Sequence, residues 1–159
     1  MSRVVHPFAP IFNSTSKTLI LGTMPSVKSR ENCKYYGNPN NRFWPLMEGI
    51  YQEKITDWKE FILKHNLALW DVLASCEITS SSDASIKNPE VNDIKRLIDA
   101  TEIKNIVLLG KTAYNLYEKY IYPNTQIEGI CLPSPSPANA KYTFDDLLNE
   151  YKLIKEITE

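Results

Sequence analysis

Residues suited to chemistry concentrate in two stretches of the chain. The first, LGTMPSVKSRENCKYYGNPNNRFWPLM (Leu21 to Met47), follows an apolar run and holds four amides, Asn32, Asn38, Asn40 and Asn41, two adjacent tyrosines and several cations. A segment this long exceeds what a crossover between packed elements needs, and long ordered loops are commonly where function resides. An amide can orient a water molecule, and a tyrosine ring can stack on a planar ligand. The same composition also suits a solvated loop in which Asn supplies turn geometry. The second stretch, CLPSPSPAN (Cys131 to Asn139), interleaves three prolines with two serines. Proline fixes an extended path with few accessible states, and the hydroxyls and backbone groups stay free to meet phosphate. A stiff wedge for entering a duplex reads this way; so does a proline-stiffened connection with no further role.

The elements that must hold these stretches alternate along the chain. Lys17 to Thr23 reads as a buried parallel strand ending at Gly22, and Leu67 to Ala74 and Asn105 to Gly110 read likewise. Phe43 to Tyr51, Asp57 to His65, Lys111 to Ile121 and Phe144 to Ile157 have helical spacing, and Ile127 to Leu132 forms a fourth short strand. Asn88, Pro89 and Glu90 read as the cap and first turn of a helix running to Ala100, with Val91, Ile94, Leu97 and Ile98 on one face. Strands alternating with helices predict an α/β fold: a three-layer α/β/α sandwich around a four-stranded, mainly parallel sheet. Ligands of such sheets bind at the carboxyl ends of the strands. That edge receives the loops Thr23 to Arg42, Ala74 to Asn88, the turn at Gly110, and Pro133 to Tyr142.

Composition narrows the class. With 159 residues, 43% of them hydrophobic, the chain is expected to form one domain over residues 1–159. No stretch approaches the roughly 18 apolar residues of a membrane span, so a cytoplasmic, membrane-free protein is expected. Cys33, Cys76 and Cys131 form no CxxC pair and are expected to be buried, inert thiols rather than metal ligands or a disulfide framework. A net charge of -1 argues against a protein that covers long stretches of phosphate backbone. The distribution is uneven: five basic residues lie between Lys17 and Arg42 against one acid, while the last fifteen residues carry five acids and two lysines.

The ordered set of motifs carries a resemblance. GTMPS, then YYGNPNNRFWPLM, LALWDVLASCEITSSSDASI, IVLLGKTAY and LPSPSPAN together resemble the hypoxanthine (deoxyinosine) branch of the uracil-DNA glycosylase superfamily, often called family six, from about Ser16 to Tyr151. One piece alone would be a weak signal, whereas the ordered set is specific.

The resemblance implies a monofunctional DNA glycosylase of base excision repair that acts on double-stranded DNA containing a deaminated base, as a monomer, with no metal and no cofactor. The mismatch-specific uracil/thymine branch carries its catalytic Asn where this chain has Met24. The hypoxanthine branch lacks that Asn and uses one just ahead of its FW pair, which here is Asn41; Asn38 and Asn40 lie close enough to compete for the role. A neutral amide suffices because glycosidic cleavage passes through an oxocarbenium-like sugar that a well-placed water can attack. Tyr36, three residues before Pro39, matches an aromatic that stacks on the extruded base, and is preferred to Tyr35. Asp71 falls where relatives read the base edge, and an ionised carboxylate there accepts from hypoxanthine N1–H; a helix cap or structural ion pair is the alternative. Thr23, Met24 and Phe43 complete the expected base pocket.

Ser134, Pro135, Ser136 and Pro137 match the minor-groove wedge, with Asn139 beside them. Leu132 stands where uracil-specific members carry a His, which argues against strong uracil activity. Lys28, Arg30, Arg42 and Lys141 are the expected phosphate partners. His6 and His65 lie outside the motifs and receive no role, and Trp44, Trp58 and Trp70 are assigned to the core. Two other readings stay open: a mismatch-specific uracil/thymine glycosylase, against which Met24 and Leu132 both count, and a non-catalytic DNA- or nucleotide-binding α/β domain.

Overall fold

The computed structural model describes residues 2–78 and 86–159. In chain order the elements are β1 (Ser2–Val5), β2 (Thr18–Gly22), α1 (Val27–Glu31), α2 (Phe43–Tyr51), α3 (Trp58–Lys64), β3 (Leu67–Asp71), β4 (Leu73–Ile78), β5 (Lys87–Val91), α4 (Ile94–Asp99), β6 (Asn105–Leu109), α5 (Lys111–Tyr120), α6 (Tyr122–Thr125), β7 (Gly129–Leu132) and α7 (Phe144–Thr158). Among the described residues no helix is long and apolar enough to cross a membrane.

Four strands form the central sheet in the order β3-β2-β6-β7, every neighbouring pair parallel. Successive side chains on a strand point to opposite faces, so the register sets two apolar rows. Ile20 pairs with Leu69 and Val107, and this row packs with Leu46 and Met47 of α2, Ile62 of α3 and Leu147 and Tyr151 of α7. Leu19 pairs with Ala68 and Ile106, and that row packs with Leu97 of α4 and Ala113 and Tyr117 of α5. Both faces are covered, which is why the strands read as unbroken apolar runs. The three layers expected from the alternation are present. Trp44 is buried, and Trp58 and Trp70 pack against the same core.

A second, antiparallel sheet, β1-β4-β5, went unread in the sequence. It arises from a break in the run LALWDVLA, expected as one strand. Val72 N–H donates to Gly22 O at 2.8 Å and Leu73 N–H to Thr23 O at 3.1 Å, holding the break against the end of β2. Beyond it the chain leaves the parallel sheet as β4, where β1 pairs with it from Val5 opposite Ser75 to Ser2 opposite Ile78. The expected loop Ala74 to Asn88 therefore begins as β4 and ends in β5, with residues 79–85 outside the described residues.

The helix expected from Asn88 begins later. Lys87 to Val91 is strand β5, and the cap is Asp93, whose side chain accepts from Arg96 N–H at 3.2 Å. Two cap signals lie five residues apart, and pairing with β4 decides against the first. Proline is tolerated in β5 because the strand lies at the sheet edge. The cysteine expectation is corrected in part: Cys76 is buried, but Cys33 and Cys131 are exposed.

Candidate active site

The loop after β2 is ordered by its own polar side chains. Ser26 caps the short helix α1 by accepting from Ser29 N–H at 3.1 Å, and Ser29 Oγ accepts from Gly37 N–H at 3.0 Å. Asn32 donates to Gly37 O at 2.7 Å, and Asn38 Oδ1 accepts from Asn40 N–H at 3.0 Å. Asn41 Oδ1 accepts from Phe43 N–H at 2.9 Å, fixing the turn that opens α2. Three of the four amides thus supply turn geometry. A carbonyl oxygen has two lone pairs, so this bond leaves Asn41 one further acceptor position.

The loop also separates the adjacent tyrosines. Tyr35 is buried, donates to Ala9 O at 3.0 Å and packs on Phe8. Tyr36 adopts a left-handed backbone, φ 54°, which turns its ring the other way onto Phe43, with centroids 4.1 Å apart and planes 23° from parallel. The residue is half-buried, and its hydroxyl is buried without a hydrogen-bond partner. Phe43 is wholly buried, which corrects its placement in the base pocket: it backs the Tyr36 ring and is not open to a ligand.

Asp71 closes β3 beside Gly22, its register partner. Its Oδ2 lies 2.7 Å from His6 Nε2, and the two side chains are 5% and 3% exposed. With a proton on Nε2 the imidazole donates to the carboxylate, while Nδ1 accepts from Phe8 N–H at 3.2 Å. Burial pushes the Asp71 carboxyl above its ordinary value, against the opposing pull of His6 and the Gly22 backbone. Oδ2 is engaged inside the protein and the carboxylate is turned from solvent, which corrects the expectation that it reads a base edge. His6, given no role from the sequence, is the partner that decides this. No local signal marks it, because the pairing spans 65 residues and depends on β1, which carries His6 alongside β4 through His6 N–H to Ala74 O at 2.8 Å.

Arg42 also departs from expectation. Its guanidinium donates to Tyr142 O at 2.6 Å, Ser136 O at 2.8 Å, Asn139 O at 3.0 Å and Pro135 O at 3.4 Å, and its own N–H donates to Pro135 O at 3.1 Å. These bonds draw the cation onto the Pro133–Tyr142 loop. The loop is tied further by Tyr151 Oη to Pro133 O at 2.6 Å and Asn139 Nδ2 to Ser134 O at 3.0 Å. Ser134 Oγ and Ser136 Oγ accept main-chain N–H groups at 3.1 and 3.2 Å, leaving each hydroxyl hydrogen free to donate outward. Gly110, φ 104°, lets the start of α5 pass Ser134, whose Cβ would stand 3.3 Å from a Cβ placed there. Pro137 is exposed at the loop tip.

Thr23 is buried and Met24 is half-buried against the face of the sheet that α4 and α5 cover. Lys28 and Lys141 are exposed and Arg30 half-buried. The structure thus gathers the Asn41 turn, the Tyr36 ring and the proline-rich loop at the carboxyl edge of the parallel sheet, with Asp71 and Arg42 acting inside the protein.

A sequence profile of the uracil DNA glycosylase superfamily matches residues 9–157. The chain belongs to this superfamily. It is similar to a protein from Methanosarcina acetivorans named hypoxanthine DNA glycosylase, 31% identical over 141 residues that cover 86% of this chain and 89% of that protein. A protein of the same name from Methanosarcina barkeri is 31% identical over 110 residues, 65% of this chain and 70% of that one. A solution NMR structure of a candidate uracil DNA glycosylase from Methanosarcina acetivorans superposes with a TM-score of 0.80 at 27% identity, covering 96% of this chain and 97% of that one.

Two measurements test how this superfamily member holds its site together. Arg42→Ala, and Arg42→Lys nearly as much because an ammonium lacks the planar fork, are expected to lower unfolding free energy in urea by about 2–3 kcal/mol. The slope of log affinity for DNA against log salt is expected to stay as in the wild type; a slope flatter by about one would return Arg42 to a phosphate. The second concerns Asp71. A carboxyl whose folded-state value is raised binds its proton more tightly in the folded chain, so its stabilising contribution is complete below the ordinary carboxyl range and lost as pH rises through the raised value. The stability of the wild type relative to Asp71→Asn is therefore expected to fall across that window in urea titrations from pH 4 to 8. A rise would show that attraction to His6 outweighs burial.

Proposed function

We propose that this chain is a DNA glycosylase of base excision repair that hydrolyses the bond between a deaminated base and its deoxyribose, with hypoxanthine as its main substrate, and leaves the abasic site uncut. The observation that carries the reading is the Arg42 clamp, which brings the Asn41 turn and the proline-rich loop within hydrogen-bond reach of each other beside the Tyr36 ring. An enzyme acting on a base within a duplex must extrude it, support the gap and receive the base on a flat surface. These three parts answer those needs. The names of the Methanosarcina relatives support hypoxanthine, and Met24 and the buried Leu132, in place of Asn and His, count against uracil or mismatched thymine.

In this reading Tyr36, backed by Phe43, takes the extruded base on the ring face turned away from Phe43, and Met24, packed on the other face of the sheet, stands apart from it. Asn41 Oδ1, held by Phe43 N–H, uses its remaining lone pair to accept from a water aimed at C1′. A neutral amide is too weak a base to create hydroxide, and it need not: as the glycosidic bond breaks, the sugar becomes an oxocarbenium-like cation that a positioned water attacks. Ser134, Ser136, Pro137 and Asn139 form the wedge, while Pro135, expected in it from the sequence, is buried and serves as its base. Lys28, Arg30 and Lys141 meet phosphates of the duplex, and the hydrolysis calls for neither metal nor cofactor.

The bond from Phe43 N–H also favours a second role for Asn41, as a turn brace alone. Duplexes containing deoxyinosine, deoxyuridine or a G:T mismatch, offered side by side, are expected to lose hypoxanthine fastest. Asn41→Ala is expected to slow that release by about 100-fold, the scale on which one positioned polar group contributes to catalysis, with affinity for the inosine duplex little changed. Asn41→Ser retains an oxygen able to accept from Phe43 N–H and is expected to be as stable as the wild type yet as slow as Asn41→Ala. Wild-type rates in the serine variant would reduce Asn41 to a brace, and binding of all three duplexes without base release would leave a DNA-binding domain.

A further inference from the structure

Two features of the buried floor beneath Tyr36 remain unexplained by the proposed chemistry. The first is the Tyr36 hydroxyl, buried without a partner. Burying a hydroxyl unpaired forfeits its hydrogen bonds to water, and such orphans in native proteins are uncommon enough to need a reason. A phenylalanine would give the same ring without that cost. The second is the His6–Asp71 pair, which engages Oδ2 and leaves Oδ1 directed to the end of β2.

The two features meet at Gly22. The point where a Gly22 Cβ would stand lies 2.7 Å from Asp71 Oδ1 and 3.0 Å from Tyr36 Oη. Only glycine leaves this space open, so an acceptor oxygen and a hydroxyl proton that needs one face the same small gap. Holding both ends are Phe43, stacked on the Tyr36 ring, and His6, on the far oxygen of Asp71.

We propose that His6 and Asp71 are positioning residues for the base-receiving ring. When an extruded base seats on Tyr36, the ring moves toward the strand end and its hydroxyl closes on Asp71 Oδ1, while His6 holds the carboxylate in place to accept it. The hydroxyl is then paired in the loaded state and orphaned in the free one. Stability is given up in the free protein, and part of it returns as preorganisation once the base is seated. This rests on the reading of Tyr36 as the platform for the base, and it assigns Asp71 to the protein side of that platform, not to the base edge.

The test compares Tyr36→Phe, Asp71→Ala, Asp71→Asn and the double variant Tyr36→Phe/Asp71→Ala on whichever of the three duplexes the wild type cleaves. Tyr36→Phe and Asp71→Ala are each expected to lower kcat about tenfold with KM moved less than about twofold, since a tilted platform misplaces the sugar without loosening the duplex. The double variant is expected to lose no more than either single one, because both remove the same bond. Asp71→Asn keeps an acceptor oxygen and is expected to retain most of the wild-type rate with base preference unchanged. A second arm needs no substrate: Tyr36→Phe, freed of its orphan, is expected to raise the Tm of the free protein by several degrees. Full activity in Tyr36→Phe, losses that multiply in the double variant, or an unchanged or lower Tm would each overturn the proposal. Release of uracil or thymine with no hypoxanthine would instead overturn the substrate reading while the variant comparison still judges this one, and with no base released at all the Tm decides.

Discussion

The guanidinium of Arg42 is the interaction on which the arrangement of the carboxyl edge depends. A segment with three prolines in five residues, Pro133 to Pro137, has few N–H groups, so it cannot order itself by a ladder of backbone bonds, and its carbonyls need donors from elsewhere. One fixed fork supplies two of those carbonyls, Pro135 and Ser136, together with Asn139 and Tyr142 just beyond them. A lysine could not match that geometry, since its donors lie on a single point charge. Because Arg42 directly follows Asn41 and directly precedes α2, whatever displaces the proline loop is felt at the amide and at the base of the Tyr36–Phe43 stack. The loop proposed to meet DNA and the turn proposed to hold water form one mechanical unit.

A second constraint comes from the break at Val72. Had LALWDVLA continued as a single strand, Asp71 would have been an interior sheet residue and β4 would not exist. Two hydrogen bonds to the end of β2 stop the strand, and the chain crosses into the antiparallel sheet. Pairing with β1 then carries His6 to the carboxylate. The small sheet, remote from the proline loop in sequence, thereby places a donor under the floor of the site. Its contribution is electrostatic as well as structural: a buried carboxylate without a donor would carry a desolvation penalty of several kcal/mol.

How much of this was legible follows from which signals are local. The parallel strands were readable because both faces are buried, so Lys17 to Thr23 and Asn105 to Gly110 are continuous apolar runs, and α2, α3, α5 and α7 were readable from 3.6-residue spacing. The segment Lys87 to Val91 misled because Asn-Pro-Glu is a sound cap locally and only pairing with β4 makes it a strand. The aromatic pair was legible as a unit, but that Phe43 stands behind Tyr36 and not beside a ligand is set by packing. Arg42 and His6 were illegible for one reason: their partners are main-chain carbonyls or a side chain far along the chain, and neither leaves a trace in spacing. From sequence a cation in a loop and a lone histidine near the start are indistinguishable from surface residues.

With the Arg42 guanidinium bonded to carbonyls, one of the four cations expected to meet a duplex is engaged inside the protein. Lys34 and Lys141 also lie over aromatic rings, 5.2 Å from the Trp44 centroid and 5.6 Å from that of Tyr142, which restrains where their ammonium groups can go. Each phosphate neutralised adds a sequence-independent share of affinity that fades with salt, so few contacts mean a weak general hold. For an enzyme that must find rare lesions, a weak hold has an advantage. If most of the binding energy came from phosphates, normal and damaged DNA would be held alike; where that contribution is small, the difference between them rests on the base that leaves the stack and on the ring proposed to receive it. A net charge of -1 is then consistent with DNA as the substrate, provided the wedge and the platform are held rigidly enough to extract that difference. The Arg42 clamp and the buried floor under Tyr36 are the parts of the fold that supply this rigidity.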